Sequence, residues 1–186
     1  MKRSTIPLVG LVAMVALLLR IVPHQPNMAA VGALCLIAGM YTPGLMAYAI
    51  PLTVIVISDA VIGFYTPSIM LTVYLSYIIT IGLGVLNRRF FGTRSATTRS
   101  VAGIGTAALG SVSFFLLTNA AVWQWGSMYQ PTLNGLLQSY VNGLPFFRNS
   151  LTSDLAYAAL FIIGIEAVQK SKIFQTKTKH ATLGSA

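Results

Sequence analysis

The stretch PLTVIVISDAVIGFY, residues 51–65, sets an ionisable carboxylate, Asp59, inside a run that otherwise belongs in hydrocarbon. A carboxylate at membrane depth costs at least ~2.5 kcal/mol, so such a residue normally faces a bundle interior or a wet cavity and has a partner. Three readings of Asp59 stand: it contacts a ligand, it carries a proton, or it forms an internal ion pair with Arg20 or Arg148. Ser58 beside it adds a hydroxyl at the same depth.

The surrounding composition fixes the solvent. Of 186 residues, 55% are hydrophobic and 8% charged, against roughly 25% charged in soluble domains. The chain reads as an all-α integral membrane protein, one helical domain over residues 1–170 with a polar tail over 171–186. The net charge of +9 is not a nucleic-acid patch, because the basic residues gather at segment ends. Lys2 and Arg3 precede the first apolar run, Arg88, Arg89, Arg94 and Arg99 share one connection, and Lys170, Lys172, Lys177 and Lys179 follow the last run. This is the positive-inside pattern.

Six spans are expected, at about 7–22, 28–42, 44–64, 67–86, 100–123 and 151–169. The first lacks a small-x-small cleavage site before Pro23 and is read as an uncleaved helix with its N-terminus in the cytoplasm. The second is short for a ~30 Å hydrocarbon core. Six crossings put both termini in the cytoplasm and ten of the twelve basic residues on that side, leaving Arg20 and Arg148 opposite. The stretch 124–150 is expected to hold a short helix at the interface, with Trp123, Trp125 and Tyr129 as belt aromatics.

Topology assigns a depth to each polar residue. Ser58, Asp59, Asn119, Trp123, Asn149 and Asp154 converge near the outer face, together with His24, Gln25 and Asn27. They define a candidate outward-facing pocket for a small polar or amphipathic solute. Against that stand structural readings: Asp154 as a favourable acid at the start of the last helix, Asn119 as a bond to a neighbouring helix, Trp123 as an interface anchor, and Glu166 as a surface pair with Lys170 four residues on. Gly10, Ala13 and Ala16 form a small-residue face suited to close helix contact.

Chemistry is sparse. There is no P-loop to energise transport, no HExxH or cysteine cluster to hold a metal, and the lone Cys35 lies in an apolar run. No catalytic residue and no cofactor is expected, and the chain does not read as an enzyme.

The segments PHQPNMAAVGALCLIAGMY, PLTVIVISDAVIGF, SVSFFLLTNAAVW and NGLPFFRNSLTSDLAYAALF resemble an uncharacterised bacterial family of six-helix membrane proteins, DUF6580. That family is similar to the substrate-binding S components of energy-coupling factor vitamin transporters. The resemblance implies a multi-pass protein of the bacterial inner membrane. It would capture a micronutrient from outside and rely on a transmembrane coupling protein and ATPase subunits for energy, with Gly10, Ala13 and Ala16 as the docking face. The alternative is a non-catalytic accessory subunit packed against a larger membrane complex.

Overall fold

A computed structural model describes residues 5–171. Six helices form a bundle: α1 Ile6–Ile21, α2 Val31–Tyr41, α3 Met46–Ile62, α4 Pro67–Phe91, α5 Ala96–Trp125 and α6 Leu133–Lys170. The last three are long and apolar enough to cross a membrane, whereas α1, α2 and α3 are shorter apolar helices. Large apolar side chains face outward, including Leu11, Leu71, Val101 and Leu160. A surface of this kind is suited to lipid rather than water, and the protein is a multi-pass membrane protein.

The shortest helix is the centre. All of α2 except Gly32 is buried, and it packs against each of the other five helices. Its sequence VGALCLIAGMY has no polar face, as expected of a helix buried on all sides. At about 16 Å it cannot cross a bilayer by itself.

Glycines let α4 lie against it. A side chain at Gly39 would overlap the carbonyl of Ile81, and one at Gly84 would overlap the carbonyl of Leu36, so the two backbones touch where they cross. The terminal end of the bundle is tied by polar bonds. Thr5 donates to the carbonyl of Tyr41 at 2.8 Å, and the Arg88 guanidinium donates to the carbonyl of Thr42. Both satisfy carbonyls left over at the C-terminus of α2.

Helix α4 runs five residues past the expected end of its span, taking Asn87 to Phe91 out of the expected Arg loop. Within the helix Asn87 finds Thr106 of α5 at 2.9 Å, so its polar group is satisfied there. Ser95 then starts α5 by accepting from the N–H of Thr98 at 3.1 Å, an N-cap.

The expected separate interfacial helix is not found. Helix α6 begins at Leu133, capped by Thr132, and continues unbroken for 38 residues, about 57 Å. Pro145 lies inside it and removes one backbone donor. Packing on α5 holds the segment helical nonetheless. Phe115 contacts Tyr140 and Phe147, the Tyr140 hydroxyl donates to the Leu116 carbonyl at 3.0 Å, and Gly143 gives room to Asn119.

Replacing Gly84 with Val is expected to lower stability by about 1–3 kcal/mol through overpacking. Gly82→Ala, where an added methyl meets nothing within 4 Å, is expected to be neutral or slightly stabilising. Thermal unfolding of the two variants in detergent checks both.

Candidate functional site

A short central helix among long neighbours leaves a space above its N-terminus. There α4 continues from Tyr77 back to Pro67, about 15 Å of helix. The space is a cavity of about 380 Å³ to which all six helices or their flanking turns contribute. Its polar wall includes Arg20, Asn27, Thr80, Ser150 and Asp154, and its aromatic wall includes Tyr77 and Phe114. The two rings lie 5.2 Å apart, centroid to centroid. The volume is within the usual range for small-molecule sites, and a mainly apolar wall with a few polar groups is their usual make-up.

Asp154 forms the floor of this cavity. It is buried, and it sits well inside α6 rather than at a helix start, because α6 begins twenty-one residues earlier. Helix α2 has alanine at its N-cap and no capping side chain of its own. Asp154 fills this place from another helix, its carboxylate lying against Gly32 in the first turn of α2. An N-cap side chain would satisfy the N–H groups of this same turn, and the positive end of α2 favours the carboxylate. The Ser111 hydroxyl donates to its other flank at 2.7 Å. Gly32 is required by this contact, since any Cβ there would overlap the Asp154 carboxylate.

Asp59 is 2% exposed and pairs with Arg20 at 2.6 Å. Tyr74 donates to its second oxygen at 2.8 Å. Of the two expected partners, Arg20 is the one found. Arg148 is exposed on α6. The pair joins α1 to α3 and places the guanidinium on the cavity wall, with the Asp59 carboxylate behind it.

The other expected site residues are distributed differently. Ser58 is buried and donates to the Ile55 carbonyl in its own helix. Asn119 donates to the Phe115 carbonyl and packs on Gly143. Trp123 donates from Nε1 to the Gln130 carbonyl at 3.0 Å, closing the α5–α6 turn. Asn149 donates to the Pro26 carbonyl at 3.1 Å and Ser153 lies 3.4 Å from the Asn27 carbonyl. These two contacts strap the α1–α2 connection to α6 at the cavity rim. Of the residues expected at the pocket, Asp154, His24 and Asn27 line the cavity; Ser58, Asp59, Asn119, Trp123, Asn149 and Gln25 lie outside its lining. Tyr77, Thr80, Gly110 and Phe114 line it without having been singled out, since an aromatic or glycine in a lipid-facing run carries no local signal of its orientation.

Two further expectations need correction. Glu166 is not a surface partner of Lys170. It is 6% exposed, pairs with Arg99 at 2.6 Å and accepts from the Tyr41 hydroxyl at 3.0 Å. The long-range partner wins because α5 and α6 form an antiparallel hairpin that brings Arg99 alongside. Gly10, Ala13 and Ala16 do not share one exposed face: Ala13 and Ala16 pack in the core with α2, while Gly10 alone is exposed.

The chain belongs to a family of unknown function, DUF6580, whose match covers residues 1–178. Neither curated proteins nor solved structures gave a match.

Breaking a buried pair by removing one partner costs about 3–5 kcal/mol, while replacing both with apolar residues is often tolerated. Asp59→Leu is therefore expected to destabilise strongly, and Arg20→Leu combined with Asp59→Leu to recover most of that loss. A double-mutant cycle of unfolding free energies checks this. Strictly additive losses would show that the pair is not coupled.

Proposed function

We propose that this protein is a non-catalytic, solute-binding membrane component of a transport system, and that the cavity at the end away from the termini is where the solute sits. The observation that carries the reading is the cavity itself: a space of about 380 Å³, bounded by every helix and floored by a buried carboxylate. A purely structural bundle gains nothing from such a void, which forfeits packing on all its walls.

The distribution of basic residues supports an orientation with termini in the cytoplasm and the cavity facing out. In that orientation α1 to α6 alternate in direction, with α2 as a short central segment completed by its flanking turns. The exposed residues Arg89 and Arg94 in and after the last turn of α4 stand on the cytoplasmic side. There they are available to the headgroups of anionic lipid or to a coupling partner. Energy would come from such partners, because the chain has no nucleotide-binding loop. The likeness to S components of vitamin transporters supports the class of function, and the ligand follows from the cavity.

The test is native mass spectrometry of the full chain released gently from its own membrane, comparing wild type with Ala29→Trp. Ala29 lies on the cavity wall in the turn before α2, so an indole there fills the space while leaving every helix intact. A discrete small molecule retained by wild type and lost in Ala29→Trp is expected. Empty wild-type protein held at fixed stoichiometry in a larger membrane complex would favour the accessory-subunit reading instead.

A further inference from the structure

The chain has three acidic residues, Asp59, Asp154 and Glu166, and all three are buried. Two are solved in the same way. Asp59 takes an arginine and a tyrosine, Arg20 and Tyr74; Glu166 takes an arginine and a tyrosine, Arg99 and Tyr41. Asp154 has no cation. Among the described residues the Ser111 hydroxyl donates to it at 2.7 Å and the first turn of α2 lies against it. A carboxylate offers about four acceptor sites, so capacity is left for a ligand in the cavity that it lines.

The charge around the cavity follows directly. Arg20 on the wall is neutralised by Asp59 behind it. The uncompensated charge is that of Asp154. Tyr77 and Phe114 line the same cavity, and the Tyr77 hydroxyl has no hydrogen-bond partner among the described residues. A negative group that shares a cavity with aromatic rings suits an organic cation, through charge pairing and through cation–π attraction. A hard metal ion asks for six or more oxygen ligands, which one carboxylate in a cavity with aromatic walls does not offer.

Resting on the solute-binding reading above, we propose that the cavity takes a small organic monocation. Its protonated amine sits on Asp154, and its apolar or aromatic body sits against Tyr77 and Phe114. The ligand completes at Asp154 the neutralisation that arginines provide at the other two acids. Spare N–H groups of Arg20 are placed to donate to an acceptor on the same molecule.

The experiment uses the full chain in lipid nanodiscs at pH 7 and three probes of one shape: phenethylamine as cation, phenethyl alcohol as neutral analogue and phenylacetate as anion. Thermal unfolding is followed at millimolar probe. Phenethylamine is expected to raise the midpoint saturably, and the other two are expected not to. Asp154→Asn should abolish the amine effect. Asparagine remains a good cap for α2, so this variant keeps its fold. Phe114→Leu, which leaves the carboxylate in place, should weaken amine binding about fivefold. Saturable stabilisation by phenylacetate or phenethyl alcohol without the amine overturns the cation assignment, as does amine binding that survives Asp154→Asn. Failure of all three probes overturns it too. If the molecule displaced by Ala29→Trp is still present, solute binding stands without a cation; if it is absent, both readings fall.

Discussion

Everything in this bundle depends on how the N-terminus of α2 is satisfied. The first N–H groups of any helix lack intrahelical acceptors, and here they lie at the floor of a cavity inside the bundle. The helix has alanine where a capping side chain would stand. Asp154 reaches across from α6 to lie against this turn, and Gly32 is the residue that lets it come close. Once that contact holds, α2 can be short, central and buried. The longer helices around it then enclose a space that α2 does not fill.

Charge is placed with the same economy. At one end of the bundle Arg99, Glu166 and Tyr41 join α5, α6 and α2; toward the other, Arg20, Asp59 and Tyr74 join α1, α3 and α4. Each cluster links three helices, which restricts how they slide or rotate. Buried pairs of this kind contribute little net stability compared with apolar packing, but they penalise every arrangement that separates them. The cavity lies beside the second cluster, with Arg20 on its wall and its floor made by the acid that neither cluster neutralises.

Much of the helix plan was legible in the sequence because long apolar runs punctuated by proline, glycine and arginine leave few alternatives. Asp59 announced itself as a charge in hydrocarbon, and Arg20 was one of two cations at the right depth to pair with it. Asp154 and Glu166 were harder. Their near neighbours in sequence, Thr152-Ser153 and Lys170, suggest a helix start and a local pair, and both suggestions lose to contacts made across the α5–α6 hairpin. The length of α6 was hidden for a related reason: Pro145, Asn142 and Asn149 interrupt the apolar pattern, and the packing of Phe115 on Tyr140 and Phe147 that keeps the segment helical is tertiary. The centrality of α2 was also invisible, since a small apolar helix facing protein and one facing lipid share one composition. Gly39 and Gly84, which touch in the fold, are far apart in the chain and carry no mark of their pairing.

The account holds that the space above α2 is open to water from the side away from the termini and closed below. Cysteine accessibility tests this most directly, because Cys35 is the chain's own single cysteine and is fully buried in α2. In sealed vesicles of known orientation, a membrane-impermeant thiol reagent is applied to one side at a time. Ala29→Cys, on the cavity wall, is predicted to react quickly from the side away from the termini and not from the other, while native Cys35 stays unmodified from both. An unreactive Ala29→Cys from either side, in protein that is folded, would contradict an open cavity and with it the reading of the bundle as a solute binder.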